Sequence, residues 1–355
     1  MTLGPLMVDI AGTQLTAADR EVLAHPLVGS VILFSRNYLE RAQLCALVNE
    51  IHAVRSPALL VAVDHEGGRV QRFRSGFSPL PPLRRIGQAY DADPQQGLAM
   101  ARALGWLMAA ELLACGLDFS FAPCVDLDYG LSEIIGDRAF HARASVVAPL
   151  AVAYMHGMRD AGMAATAKHF PGHGAVVADS HLALPVDRRE LVDMDEDLLP
   201  YRRLIANAVP AVMVAHVLFP AVDPVPASFS QRWITQQLRH GLQFAGLVFA
   251  DDLTMAGAAA MGDLSERAGR ALAAGCDVLP VCNDRAGVER LLDHFEPRIE
   301  PASLLRLIRM RGRRQPGFET LEASAAWRSA REWLTRSEAK PELKFEPGDA
   351  QTGGL

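Results

Sequence analysis

The sequence is short of the residues that mark extracellular and nucleic-acid-binding proteins. Its five cysteines are an odd number and form no C-x-x-C pair, so a disulfide framework and a zinc ribbon are both disfavoured. The formal net charge is -6, from 35 basic and 41 acidic residues, and no long basic run is present. We therefore expect free thiols, a cytoplasmic location and no nucleic-acid partner.

Long apolar segments and nucleotide-binding patterns are missing as well. No run approaches about 18 uninterrupted apolar residues, so we expect no membrane span. The opening stretch "MTLGPLMVDIAGTQL" lacks a basic segment followed by an apolar run, which predicts no signal peptide. The first apolar run is not followed by G-x-G-x-x-G, and "PGHGA" is not followed by G-K-[ST]. Both absences disfavour a nucleotide phosphate site.

Eight short apolar runs, separated by longer helical patterns, are what the chain does contain. We predict strands at Leu6–Ile10, Ser30–Phe34, Leu59–Asp64, Phe119–Pro123, Ala165–His169, Val212–His216, Leu247–Asp251 and Asp277–Val281. Their alternation with helices predicts an α/β fold, a single (β/α)8 TIM-type barrel over residues 1–336. An open doubly wound sheet is the alternative. Residues 337–355, rich in proline, glycine and charge, are expected to form a short flexible tail.

Polar residues stand at the ends of several predicted strands. These residues are Asp64, Lys168, His169, His216, Asp251 and Asp252. The carboxyl ends of barrel strands meet at one rim, where barrel enzymes keep their chemistry, so we predict an active site there. Structural readings stay open: Asp64 as a turn cap, Lys168 in a structural ion pair and His216 as a core histidine. Alternation along a strand predicts that only one of Asp251 and Asp252 faces the rim.

The loop "KHFPGHGAVVADSH" concentrates three of the 11 histidines of the chain. His169, His173 and His181 are not spaced as two ligands on one helical face, and Pro171 with Gly172 breaks any helix there. A metal site is therefore disfavoured, and we expect none. Sugar recognition and proton transfer are the chemistry that this loop favours.

Together, "KHFPGHGAVVADSH", "VDHEGGRVQRF" and "GLVFADDLTMAG" resemble family 3 glycoside hydrolases of the bacterial β-N-acetylhexosaminidase type. The resemblance covers about Gly4 to Arg336. It implies that Asp251 is the nucleophile, that His181 is the general acid/base and that Asp179 orients His181. Ala250 stands where relatives usually carry Ser or Thr.

The resemblance also implies a set of substrate-binding residues: Asp64, Arg72, Arg138, Lys168 and His169. His216 is a further possible contact, and His65 replaces a common Gln. A retaining glycosidase needs a nucleophile on one face of the sugar and an acid/base on the other. A histidine, with an ordinary pKa of about 6.5, can serve as acid and then as base near neutral pH.

The implied activity is removal of terminal β-linked N-acetylglucosamine by a retaining mechanism, without a cofactor. The implied natural substrates are N-acetylglucosaminyl-1,6-anhydro-N-acetylmuramyl peptides of peptidoglycan recycling in the cytoplasm. The partners are thus small saccharides, with no nucleic acid and no membrane. A β-glucosidase or β-xylosidase of the same family, and a sugar-binding barrel without catalysis, are the alternatives.

Overall fold

A computed structural model describes residues 2–132, 134–177, 180, 184–298, 300–313 and 315–338. Within these ranges the strands are β1 (Leu6–Val8), β2 (Val28–Leu33), β3 (Leu60–Val63), β4 (His65–Gly67), β5 (Val70–Gln71), β6 (Phe119–Ser120), β7 (Thr166–Phe170), β8 (Ala211–Val214), β9 (Leu247–Ala250) and β10 (Leu279–Val281).

The α-helices lie mostly between these strands. They are α1 (Ala17–Ala24), α2 (Arg41–Ala53), α3 (Leu83–Ala92), α4 (Pro94–Ala114), α5 (Ala144–Ala161), α6 (Asp195–Ala206), α7 (Leu264–Ala274), α8 (Arg285–His294), α9 (Pro301–Ile308), α10 (Phe318–Ala323) and α11 (Ala325–Glu338). A π-helix at Arg232–Gly241 precedes β9, and short 3-10 helices occupy several loops.

Eight parallel strands follow one another around a ring. Five pair in the order β10-β1-β2-β3-β6 and three in the order β7-β8-β9. The ladder is interrupted at two junctions, where isolated bridges and single hydrogen bonds join the two sheets. Thr166 N donates to Ala122 O over 2.8 Å between β6 and β7, and Ala250 N donates to Val278 O over 3.0 Å between β9 and β10. The predicted α/β barrel class is confirmed.

All eight predicted barrel strands are present, with ends that differ by a few residues. Their residues are almost entirely buried, because each parallel strand has the barrel interior on one side and helices on the other. The antiparallel hairpin of β4 and β5 was not predicted. It lies directly after β3 and starts at His65, so it continues the chain from Asp64 over the rim of the barrel.

Helix ends follow local chemistry. Asp263 caps α7 in a capping box with Glu266, and Gly275 ends the same helix at φ 114°, a left-handed conformation that glycine adopts without a Cβ clash. Gly162 ends α5 in the same way at φ 98°. These stops set the short loops that return the chain to β10 and β7.

Among the described helices, α4 alone is long and apolar enough to cross a bilayer, and 67% of its most apolar 18-residue stretch is buried inside the protein. The last helix, α11, ends at Glu338. Residues 339–355, most of the predicted tail, lie outside the described residues.

Candidate active site

A cavity of about 630 Å³ opens at the carboxyl ends of the barrel strands. Its lining includes six of the residues singled out from the sequence: Asp64, Arg72, Arg138, Lys168, His169 and Asp251. They come from the ends of β3, β7 and β9, from the residue after β5 and from the loop after β6. The structure therefore brings together side chains that are up to about 190 residues apart in the chain, which the barrel topology predicts.

Lys168 is buried and is held by two carboxylates. Its Nζ lies 2.6 Å from Asp64 Oδ1 and 2.5 Å from Glu66 Oε1. Burial alone would lower the pKa of Lys168, but the charges of Asp64 and Glu66 outweigh it and raise the pKa. Lys168 is therefore a fixed cation whose ammonium group borders the cavity.

Glu66 ties Lys168 to a second cation. Arg138 donates to its two carboxylate oxygens from Nε and Nη2 over 2.9 and 2.8 Å, in a bidentate pair. Burial works against ionisation of Glu66, yet Arg138 and Lys168 lower its pKa well below the ordinary range. Arg138 thus reaches the cavity with its guanidinium plane already oriented by Glu66.

Arg72 is bound less tightly. Its Nη2 lies 4.0 Å from Asp64 Oδ2, and among the described residues its buried Nε has no hydrogen-bond partner. A buried donor without an acceptor is costly unless a ligand or water supplies one. Arg72 is therefore a ready donor for a bound ligand.

His169 is oriented by a buried aspartate that the sequence did not point to. Its Nδ1 lies 2.7 Å from Asp126 Oδ2, and the backbone nitrogen atoms of His169 and His173 donate to the same carboxylate over 3.2 and 2.8 Å. Burial opposes ionisation of Asp126, but His169 and His173 lower its pKa to about 2. The ionised carboxylate fixes the proton on Nδ1, so His169 presents Nε2 towards the cavity.

Asp251 and Asp252 both line the cavity, so the prediction that one faces away was wrong. The physical reason is that β9 ends at Ala250, and strand alternation does not extend to the two aspartates. Asp251 Oδ1 accepts from Asp252 N over 2.9 Å, while Asp252 Oδ1 accepts from Thr254 N and Cys282 N. Burial raises the pKa of Asp252 to about 6.

Two other histidines lie away from the cavity. His216 is fully buried: its Nε2 donates to Asp252 O over 2.9 Å and its Nδ1 accepts from Ser228 Oγ over 2.6 Å. This geometry is that of a core histidine which supports the Asp252 backbone. His65 is 1% exposed and packs on Phe73 and Phe77, so its departure from the common Gln lies behind the cavity wall.

Asp179 and His181 lie outside the described residues. Ser180, between them in the chain, is described and lines the cavity. Its Oγ lies 3.1 Å from His173 Nε2, and its carbonyl accepts from Gly257 N over 2.9 Å. His173 thus contacts the loop that carries the predicted acid/base.

Within the described residues one group has metal-ligand atoms close together: Cys124, Asp126 and His169, whose atoms lie within 4.8 Å of one another. All three side chains are buried, and the Asp126 carboxylate already accepts from His169 and Cys124. The group is therefore arranged as a hydrogen-bonded support for His169.

Comparison with known proteins identifies the family. The model of the glycosyl hydrolase family 3 N-terminal domain matches residues 6–306. The chain belongs to glycosyl hydrolase family 3. The β-hexosaminidase of Thioalkalivibrio sulfidiphilus is 51% identical over 346 residues, 98% of this chain and 100% of that protein. The β-hexosaminidase of Alkalilimnicola ehrlichii is 50% identical over 348 residues, again 98% and 100%.

Solved structures agree with this family. NagZ from Neisseria gonorrhoeae in complex with N-trifluoroacetyl-D-glucosamine matches with a TM-score of 0.90 and 41% identity, covering 96% of this chain and 99% of that one. The same protein in complex with a zinc ion matches at 0.89 and 39%, with the same coverage. The predicted family is confirmed, and the activity it supports is that of a β-hexosaminidase, a hydrolase of glycosidic bonds.

Sequence reasoning missed Glu66 and Asp126. Glu66 stands inside the quoted "VDHEGGRVQRF" motif, so a signal was present. Asp126 follows the fourth strand in "FAPCVDLD", where its position at a strand end was the available signal.

Proposed function

We propose that this protein is a retaining β-N-acetylglucosaminidase that removes terminal β-linked N-acetylglucosamine through a covalent glycosyl-enzyme intermediate. One observation carries the proposal: Asp251 shares a single cavity with Lys168, Arg72 and Arg138, whose donors suit the hydroxyl and acetamide oxygens of a sugar. A carboxylate at a strand end is the nucleophile that a retaining mechanism requires.

The sugar contacts follow from the hydrogen-bond inventory of the cavity. Lys168 and Arg72 donate to oxygen atoms, Asp64 accepts from hydroxyl groups, and His169 offers Nε2. Arg138 is proposed to contact the substrate with the part of its guanidinium that Glu66 does not occupy. The solved complex of Neisseria gonorrhoeae NagZ with N-trifluoroacetyl-D-glucosamine, an N-acylated sugar, supports this substrate class.

The acid/base is proposed to be His181, oriented by Asp179. The chain neighbour of both residues, Ser180, lines the cavity that holds Asp251, which supports their assignment to the same site. An imidazole can protonate the leaving oxygen and then deprotonate the attacking water. A nearby carboxylate stabilises the imidazolium form that the first step consumes.

The natural substrates are proposed to be N-acetylglucosaminyl-1,6-anhydro-N-acetylmuramyl peptides, cleaved in the cytoplasm during peptidoglycan recycling. Arg69 supports an acidic leaving group, because this cation lines the cavity and its side chain is 47% exposed while Asp137, over 3.3 Å, and Ile134 O, over 2.6 Å, hold it in place. Comparing kcat/KM on such a muropeptide with kcat/KM on N,N'-diacetylchitobiose tests this part. Equal values on the two substrates would argue against it.

Three activities are separated by one assay. We expect turnover of 4-nitrophenyl N-acetyl-β-D-glucosaminide and at most a small fraction of that rate on the β-glucoside and β-xyloside. Proton NMR of the first-formed sugar should show the β-anomer. A preference for the glucoside or xyloside would favour the in-family alternative, no turnover would favour a binding barrel, and an α-anomer would exclude retention.

A further inference from the structure

A second cavity, of about 600 Å³, lies at the opposite end of the barrel. Its lining includes Ala58, two residues before β3, and Asp118, the residue before β6, and so it borders the amino ends of these strands. No residue lines both this cavity and the catalytic one, as far as the described chain shows. Whatever chemistry occurs here is separate from the sugar site.

Two cysteines meet at this second cavity. Cys45 Sγ and Cys115 Sγ lie 3.0 Å apart and share a hydrogen bond. Cys45 is in the second turn of α2, and Cys115 follows the last residue of α4, 70 residues later in the chain. Both residues line the cavity, and both are free thiols. Two thiols held in contact by separate helices can be joined without unfolding either helix.

The thiols of Cys45 and Cys115 differ in exposure and in the direction of their pKa shifts. Cys45 is half-buried, and Arg41 stands one turn before it on α2, the spacing at which helix side chains are neighbours. The hydrogen bond with Cys115 lowers the pKa of Cys45. Burial raises this pKa, but the positive charge of Arg41 lowers it further, and the pKa is lowered overall. The hydrogen bond with Cys45 and burial raise the pKa of the Cys115 thiol. Because Cys45 is half-buried whereas Cys115 is 2% exposed, Cys45 is the thiol that a peroxide reaches first.

We propose that Cys45 and Cys115 form an oxidation site that small hydroperoxides convert into an intramolecular disulfide. The Cys45 thiolate attacks a peroxide oxygen, the O–O bond breaks, and hydroxide leaves and takes up a proton to give water and a Cys45 sulfenic acid. Cys115 sulfur then attacks Cys45 Sγ, and the sulfenic oxygen leaves as a second water. The sum is two thiols and one H₂O₂ to one disulfide and two waters.

The other three cysteines provide an internal comparison. Cys124, Cys276 and Cys282 are buried, and burial raises the pKa of each thiol. A thiol that stays protonated and inaccessible reacts slowly with peroxide. Peroxide should therefore react with Cys45 and Cys115 before it reacts with these three cysteines.

The test is mild H₂O₂ treatment of the full-length protein, followed by intact mass and non-reducing peptide mapping. We expect a mass lower by two hydrogen atoms, one cross-linked peptide pair containing Cys45 and Cys115, and full reversal by dithiothreitol. Because the bond closes a long loop of the unfolded chain, Tm should rise by several degrees, roughly 5 °C. The kcat/KM on the chromogenic N-acetylglucosaminide should stay within about twofold, since the site lies away from the catalytic cavity.

Two variants assign the roles. Cys45→Ser should give no cross-link and no peroxide adduct at Cys115. Cys115→Ser should accumulate a Cys45 sulfenic acid that dimedone traps. The proposal is overturned if Cys45 and Cys115 stay reduced while another cysteine reacts, if Cys45 passes to sulfinic acid with Cys115 still a thiol, or if the product is a disulfide-linked dimer.

Discussion

Glu66 and Arg138 form a bidentate ion pair in which both carboxylate oxygens accept from one guanidinium, over 2.8 and 2.9 Å. The pair is buried, and Lys168 completes it from the other side. Glu66 therefore positions two cations of the cavity, Arg138 and Lys168, although it does not itself line the cavity.

Glu66→Gln should lower kcat/KM by about 10- to 100-fold, because Arg138 and Lys168 lose the charge that positions them. Removing one partner of a buried pair should also lower the free energy of unfolding by about 3 kcal/mol or more. Steady-state kinetics and urea unfolding measure the two effects.

Glu111→Gln is the matched control for this variant. Glu111 is also a buried carboxylate, but it accepts from Ser78 and Trp327 away from the cavity. The Glu111→Gln variant should have a lower free energy of unfolding, while its kcat/KM stays within about twofold of that of the unmodified protein. If Glu66→Gln behaves like Glu111→Gln, the positioning role of Glu66 is wrong.

Asp126→Asn should replace one of the two carboxylate oxygens that accept from His169 and His173 by an amide donor and remove the negative charge, which weakens the control of the proton on His169 Nδ1. We expect kcat/KM to fall by about 10- to 100-fold, because a His169 ring that is misplaced or carries its proton on the wrong nitrogen would bind the substrate in a less reactive position. Asp277→Asn is the control: Asp277 is buried beside Arg239 and Arg306 at the amino end of β10. Unchanged kinetics in Asp126→Asn, or an equal loss in both variants, would contradict the role given to Asp126.

The stability should fall below neutral pH, and His65 should account for part of this fall. Burial, followed by the charges of Arg74 and Arg72, lowers the pKa of His65 to about 3. The unfolded chain, with an ordinary histidine pKa of about 6.5, takes up the proton first, so stability is lost as the pH drops below about 6.5 and until about 3. Between about pH 7.5 and about pH 5 the loss due to His65 is about 2 kcal/mol.

His65→Gln should reduce the difference in unfolding free energy between these two pH values by that amount, whatever its effect at either pH alone. His240→Gln, at an exposed histidine, is the control and should leave the difference unchanged. Urea unfolding at the two pH values measures both variants. If the unfolding free energy of His65→Gln differed between the two pH values as much as that of the unmodified protein, His65 would not be held neutral in the folded state.

The parts of this structure that the sequence predicted are those with a strong local signal. Runs such as Leu247–Asp251 are apolar because parallel barrel strands are buried on both faces, and all eight were located. The chemistry at strand ends followed, since the topology brings these ends to one rim. The positions of Asp64, Lys168 and His169 at this rim can therefore be predicted from the sequence.

What the sequence did not predict depends on contacts between distant segments. Glu66 and Asp126 look like ordinary acidic residues until the fold places Arg138 and His169 beside them. The hairpin of β4 and β5 is too short for a periodic pattern, and the cis peptide bond between Lys168 and His169 has no sequence signature. Asp252 was misplaced because one residue decides where strand alternation stops.

The proposed acid/base dyad of His181 and Asp179 leads to a prediction about leaving groups. His181→Ala should lose on the order of 10² to 10⁴ in kcat/KM on a disaccharide, whose leaving group needs a proton. On an aryl glycoside with a good leaving group the loss should be much smaller. Asp179→Ala added to His181→Ala should reduce kcat/KM little further, because Asp179 is proposed to act through His181.

His240→Ala serves as the control for the dyad. His173→Ala would be a poor control, because His173 contacts Ser180 and belongs to the same loop as His181. Kinetics of the single and double variants on both substrate types provide the test. Equal losses of His181→Ala on the two substrates, or fully additive losses with Asp179→Ala, would assign the proton to another residue.

The central claim is that Asp251 forms a covalent bond to the sugar, and trapping that intermediate tests it most directly. A slowly hydrolysed 5-fluoro-N-acetyl-β-glucosaminyl fluoride should add one glycosyl unit to the intact protein, and peptide mapping should place the label on Asp251. Asp251→Ala should acquire no label, whereas Asp252→Asn should still be labelled. A label on Asp252 or on any other residue, or turnover of the reagent with no covalent species at any time, would contradict the account.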